Sequence, residues 1–389
     1  MVTKSQRAKV PGGATALMAF VFDNSLLLIL GAVVALVWVN VSAEHYTQAT
    51  SWLHFIVNDV AMVFFFALAT KEVFEATLPG GPLSSPREGA VPILAACGGM
   101  IAPAAIYLLS IRAIGTPELH AGWAIPCATD IAFSYLAARL IFPRDSPAIP
   151  FLLLLAIADD ALGLIVLAIF YPSGTVSLLL LAALLIPALA LAWALRRSGV
   201  QSPWAYIAGP GVLSWLGLFY GGLHPALALV PIIPLMPHHK SDLKVFGKLE
   251  PVRLMTLHHF ERWWKVPVQF VLFAFGLVNA GVPLASVGPV SWIVFASLVV
   301  GKPIGVVGTT LIAERIGFRR APGLDYRSLV TLGVAAGMGF TVALFFASAA
   351  FRPGVVLDQA KMGALLSFSA AFFAIGVGRM LGLRPEVKK

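Results

Sequence analysis

Asp159 and Asp160 stand side by side at the centre of LLLLAIADDALGLIVLAIFY, residues 152–171, a stretch that is otherwise almost wholly apolar. Two more charges have similar surroundings: Asp130 in GWAIPCATDIAF and Lys302 in VVGKPIGVVG. An ionised side chain at the centre of a bilayer costs at least ~2.5–3.5 kcal/mol on insertion scales, so such groups are paired or functional. Ion pairing alone accounts for one aspartate and one lysine. It does not account for three aspartates and one lysine, because two carboxylates stay uncompensated. In lipid the available neutralisers are protons and metal cations. Neighbours on a helix point about 100° apart, so Asp159 and Asp160 face different partners. Two ionised carboxylates ~6 Å apart at an effective dielectric near 20 repel by roughly 3 kcal/mol. A proton and a small cation then compete for the same oxygens, and occupancy by one disfavours the other. That competition is a sufficient mechanism for exchanging the two.

The elements that must hold these charges are membrane spans. A helix of twenty residues covers the roughly 30 Å hydrocarbon core of a bilayer. The chain is 59% hydrophobic and 12% charged, with mean hydropathy +0.89, whereas a soluble domain carries about 25% charged residues. Apolar runs near membrane length recur at 21–41, 55–77, 90–111, 121–141, 150–171 and 176–196, and again at 203–220, 222–237, 267–285, 290–312, 329–350 and 361–383. The expected fold is therefore an all-α polytopic membrane protein of twelve transmembrane helices. It forms a single integral domain over residues 1–389, with a cytoplasmic N-terminal segment at about 1–20 and a basic, His-containing cytoplasmic connector at 238–266. The first apolar run has the basic start of a signal peptide, but its length and Asp23 mark it as a retained span. Cys97 and Cys127 both fall in apolar segments and give neither a disulfide framework nor a metal spacing.

Charge placement tests the topology independently. With the N-terminus inside, only Arg112, Arg352 and Lys361 of the 27 basic residues fall outside, Lys302 falls within a span, and the other 23 fall inside. This follows the positive-inside rule and puts both termini in the cytoplasm. It also explains the net charge of +9 without any nucleic-acid partner. Two spans carry helix breakers at their middles: Pro126 beside Thr129 and Asp130, and Gly337 and Gly339 beside Thr341 in GVAAGMGFTVALF. Each is the middle member of a three-span group, spans 3–5 and spans 10–12. Paired interrupted spans near the midplane point to a transport site.

ATDIAF, LAIADDALG, GKPIG and GMGFT, in this order, resemble the NhaA-type bacterial Na+/H+ antiporters; CGGMIAP (97–103) and NAGV (279–282) agree. The resemblance covers nearly the whole chain. It implies two inverted repeats whose fourth and eleventh spans are discontinuous and cross. Asp130 and Asp160, with Thr129, match the sodium site. Asp159 matches the aspartate that pairs with the intramembrane lysine, here Lys302, unless that lysine carries a proton itself. The implied activity is electrogenic exchange of Na+ or Li+ for protons in the bacterial inner membrane, serving pH homeostasis, with no cofactor and no enzymatic step. The implied partners are small cations, the lipid bilayer and a second copy of the chain. Known members pair through a β-hairpin after the first span, for which the thirteen residues 42–54 leave little room. Where the family has GLEVKRE, this chain has ATKEVFEAT (69–77), keeping Glu72 of the cytoplasmic funnel but not the Lys-Arg pair. Glu261 in LHHFERW and His224 in GLHPAL match pH-response positions, and Asp59 lies at the far end of the second span from Glu72.

A sodium-coupled symporter of similar fold is the nearest alternative, but a carboxylate-rich site with a lysine does not suit an organic substrate. An intramembrane aspartyl protease needs a Gly-x-Gly-Asp motif that is absent, and it leaves Lys302 idle. An intramembrane prenyltransferase needs aspartates at a loop edge rather than mid-span. A channel is poorly served by a site that binds tightly enough to change its own protonation.

Overall fold

The computed structural model describes residues 21, 25–143, 145–238 and 256–383. The expected N-terminal segment 1–20, residues 239–255 of the connector and the basic C-terminus lie outside the described residues. The described chain is all-helical, with no strand. In lipid every backbone amide and carbonyl must be satisfied within the protein, and helices do this within one segment.

The helices in order are α1 (Leu26–Val41), α2 (Ala43–Thr50), α3 (Leu53–Thr77), α4 (Pro86–Ile114), α5 (Ile131–Ile141), α6 (Ala148–Phe170), α7 (Leu178–Arg197), α8 (203–221), α9 (Thr256–Asn279), α10 (Pro289–Ile316), α11 (Tyr326–Ala335), α12 (Phe340–Ala350) and α13 (Val355–Met380). A 3-10 segment, Pro117–Cys127, precedes α5. Among the described residues six helices are long and apolar enough to cross a membrane, or up to eight if each bent pair counts as one span. The pairs are Pro117–Cys127 with α5, bent by 54°, and α11 with α12, bent by 50°. The helices α3, α8 and α10 each contain a wide π turn, at 56–61, 207–211 and 297–301. The first contains Asp59 and the last runs directly into Lys302.

Small residues bring backbones together where the helices cross. A side chain on Gly305 of α10 would lie 2.0 Å from the Gly98 carbonyl oxygen of α4, and one on Gly31 of α1 would lie 2.1 Å from the Phe273 carbonyl oxygen of α9. These contacts set the pairings α4 with α10 and α1 with α9. Overpacking such a seam costs about 1–3 kcal/mol or more. Gly305→Val is accordingly expected to lower the detergent melting temperature and the amount of folded protein recovered from membranes. Gly308→Ala, at a position with open space around it, is expected to leave both close to the unsubstituted values. Equal melting of the two variants would remove this role for Gly305.

Three expectations need correction. Residues 222–237 form no α-helix; short 3-10 turns at Pro225–Leu227 and Ile233–Leu235 are joined by turns. Pro225, Pro231, Pro234 and Pro237 remove four amide donors from this stretch, which breaks any α ladder. The segment is nonetheless buried. Freed carbonyls find side chains: the Ser214 hydroxyl donates to Ala228 O at 2.7 Å and Arg196 Nη1 to Pro234 O at 3.1 Å. The connector is also shorter than expected, since residues 256–266 already belong to α9. Finally, α13 starts at Val355, so Lys361, expected at the outer end of span 361–383, is buried within the helix. The 42–54 connection is itself mostly helical, and its Tyr46 hydroxyl donates to Leu277 O at 2.8 Å.

Candidate functional site

Both interrupted spans break where the sequence supplies breakers, and their breaks meet. After Cys127 the backbone becomes extended through Ala128, and Asp130 (φ −84°, ψ 108°) starts α5. On the other side the chain leaves α11 at Ala336 and re-enters a helix at Phe340. A broken helix leaves carbonyls and amides without intrahelical partners, and here each break serves the other. The Asp130 N–H donates to Met338 O at 2.7 Å. The Thr129 hydroxyl donates to Ala336 O at 3.0 Å, and the Ser134 hydroxyl to Ala335 O at 2.9 Å. In return the Thr341 N–H donates to Asp130 Oδ2 at 3.3 Å, and the Thr341 hydroxyl donates to the same oxygen. The crossing is close: a side chain on Gly339 would lie 2.5 Å from Ala128 O. Gly337 packs instead against α10, where a side chain would lie 3.0 Å from Leu298 O. Pro126 is the second-last residue of the 3-10 segment that leads into the crossing.

The adjacent aspartates of α6 face different surroundings, as their 100° separation requires. Asp159 is fully buried and meets Lys302, fully buried on α10, with Nζ 2.6 Å from Oδ2. Lys302 also donates to the Cys127 carbonyl at the end of the 3-10 segment, where the helix dipole is negative. Its charge therefore offsets both a carboxylate and a helix end.

Asp160 is half-buried and lines a cavity of about 350 Å3 together with Thr129, Asp130, Thr341, Glu72, Lys71, Glu261, Lys265 and Gln269. The cavity thus joins Asp160 of α6 to Asp130 and Thr129 at the crossing. A hydroxyl has one proton to donate and two lone pairs, so Thr129 keeps acceptor capacity after its bond to Ala336. Among the described residues no three His, Cys, Asp or Glu side chains converge as a metal-ion cage. Two carboxylates with a hydroxyl are hard oxygen donors, suited to a weakly held alkali cation.

Charged side chains of the cavity wall form a cross-link. Lys71 of α3 lies 2.7 Å from Glu75 and 2.6 Å from Glu261 of α9, and His258 Nδ1 lies 3.8 Å from Glu261. Glu72 and Glu261, expected at the entrance, do line the cavity. Asp59 and His224 do not; His224 Nδ1 stands 3.8 Å from Asp59 Oδ1, and the Trp215 indole N–H donates to the Asp59 carbonyl oxygen at 2.7 Å. Asp160 also borders a void of about 20 Å3 walled by Phe65, Phe66, Leu167, Phe345 and Phe346. Its walls lie earlier in α3 than Lys71 and Glu72, and later in α6 and α12 than Asp160 and Thr341, which puts the void on the side away from the cavity mouth.

Sequence reading missed two features of this cavity. Lys71, counted only among the basic residues on the inner side, is the buried centre of a double ion pair. Gln269 carries no motif; its one signal is a lone amide in the apolar run VPVQFVLFAF.

Comparison with known proteins identifies the family. The profile of the family described as Na+/H+ antiporter 1 matches residues 16–378. The Na+/H+ antiporter NhaA 2 of Pelobacter propionicus is 45% identical over 372 residues, covering 93% of this chain and 97% of that protein. The Na+/H+ antiporter NhaA of Geotalea uraniireducens is 44% identical over 376 residues, covering 94% and 96%, and that of Geobacter sulfurreducens is 43% identical over 372 residues, covering 93% and 97%. With the match running from before the first described helix to within α13, the chain belongs to the Na+/H+ antiporter 1 family of multi-pass membrane transporters.

Proposed function

We propose that this chain exchanges Na+ or Li+ for protons across the bacterial inner membrane by alternating access, with Asp130 and Asp160 as the oxygens for which the ions compete. The observation that carries this reading is the separation of roles within one acidic pair: Asp159 is matched by Lys302, while Asp160 faces an open cavity shared with Asp130 and Thr129. A cation entering there displaces protons, and a proton entering displaces the cation. Thr129 adds a neutral oxygen. Because the fixed lysine charge is already taken by Asp159, ions from solution must neutralise the other two carboxylates.

The mouth of the cavity carries Lys71, Glu72, Glu261 and Lys265, on the side that the basic-residue bias reads as cytoplasmic. On that reading the described conformation is open inward, and both termini are cytoplasmic. Spans 3–5 and 10–12 form two inverted repeats in a single domain, supported by two bends of similar angle whose breaks meet and by the Gly98–Gly305 contact between the leading spans of the two groups. Proton entry in excess of sodium expelled makes the cycle electrogenic. Pairing with a second copy of the chain proceeds without a β-hairpin, since residues 43–50 are helical.

Everted membrane vesicles with an acid interior and a ΔpH-sensitive dye test this. Adding Na+ or Li+ is expected to collapse the gradient. An absence of response to either ion from pH 6.5 to 9 overturns the proposal, and a response requiring an added organic solute favours a symporter.

A further inference from the structure

Gln269 takes no part in the crossing or in the Lys302 pair, yet it faces the same cavity. It is 9% exposed, and its side-chain oxygen Oε1 is buried with no hydrogen-bond partner. It lies on α9, eight residues after Glu261, which places it about 12 Å further along the helix from the Lys71 cross-link at 1.5 Å per residue. On the same helix the wall carries the apolar Val268 and Leu272 next to it, and the charged Lys265 and Glu261 one and two turns before it. A buried acceptor left without a partner is costly. The nearest space that can hold a partner is the cavity that Gln269 lines.

The surrounding charge favours a cation. Four carboxylates line the cavity, Asp130 from the start of α5, Asp160 from α6, Glu72 from α3 and Glu261 from α9, against two lysines, Lys71 and Lys265. Thr341 of α12 contributes a hydroxyl that is already donated to Asp130. An amide oxygen is a hard, neutral donor of the kind that replaces water around alkali and alkaline-earth ions. It takes no proton in the working pH range, and this separates it from every carboxylate in the cavity.

We propose that Gln269 is a cation-contacting residue, its side-chain oxygen receiving a partly dehydrated Na+ or Li+ on the path to Asp130 and Asp160. The inference rests on the antiporter reading and deepens it. At the aspartates, proton and cation gain from the same oxygens. At Gln269 only the cation gains. The residue therefore raises cation affinity without raising proton affinity, and biases the competition toward the cation by the same factor at every pH.

The test is antiport in vesicles by the full chain, with the cation concentration for half-maximal response measured at pH 7 and 8.5, together with binding of radioactive Na+ to the purified protein. Gln269→Leu keeps the size of the side chain and removes the oxygen. It is expected to raise the half-maximal Na+ and Li+ concentrations about three- to tenfold, by the same factor at both pH values, with a matching loss in direct binding. Gln269→Glu makes the position a proton acceptor, and should tighten the cation response at high pH and steepen its pH dependence. Unchanged half-maximal concentrations in Gln269→Leu, or an unsteepened profile in Gln269→Glu, overturn the inference while leaving the antiporter reading intact. Failure of the unsubstituted chain to respond to Na+ and Li+ overturns both.

Discussion

Asp160→Asn is expected to abolish the collapse of a vesicle proton gradient by Na+ and Li+. Two unit charges ~4 Å apart at an effective dielectric near 20 attract by about 4 kcal/mol. Losing one carboxylate from the cavity therefore weakens cation binding by roughly two to three orders of magnitude. The same substitution removes one of the two oxygen pairs for which protons compete, so it cannot be offset by raising the pH. Asn is close in size and keeps an oxygen, and among the described residues Asp160 makes no ion pair that holds the helices together. The protein should therefore insert and melt much as before, with transport alone lost. A gradient collapse at ordinary Na+ concentration in this variant would remove Asp160 from the mechanism.

Lys302→Ala has the largest expected effect on stability. Lys302 and Asp159 are fully buried and 2.6 Å apart, and removing one partner of a buried pair costs about 3–5 kcal/mol because the other charge is stranded. Asp159 Oδ1 already has no hydrogen-bond partner, so no second donor stands ready to replace the lysine. The Cys127 carbonyl loses its donor as well. The melting temperature in detergent should fall by several degrees. Combining Lys302→Met with Asp159→Asn, which removes both charges, should restore much of it. The double variant tests transport separately: if the pair handles a proton, charge moved per cycle falls even where stability returns. Unchanged melting together with unchanged charge per cycle in Lys302→Ala would leave the pair with neither role.

The site was legible to the extent that it consists of charges where charges are costly. Asp130, Asp159, Asp160 and Lys302 stand out against apolar neighbours, and Pro126, Gly337 and Gly339 mark where helices must give way; the structure brings all of these to one crossing. The helical class was equally legible from repeated apolar runs. Residues 222–237 were misread because their hydropathy is that of a short span, although four prolines argued otherwise. The Lys71–Glu261 link joins positions 190 apart, a pairing that no local pattern encodes. Lys361 was placed at the outer end of span 361–383, and only packing showed it buried inside a helix that starts earlier. Gln269 was invisible for the opposite reason: an uncharged amide in an apolar run costs too little to draw notice.

The aromatic-walled void beside Asp160 bears on how tightly the membrane stays sealed. Protons hop along connected waters, and a chain of them across the bilayer would short-circuit the energy supply of the cell. A void of about 20 Å3 has room for about one water at ~10–15 Å3 each, and apart from Asp160 the side chains around it are phenyl rings and aliphatic groups. One water makes no wire. The insulation on that side of the acid is therefore a set of rings packed edge to face, Phe66 against Phe65 and Phe345.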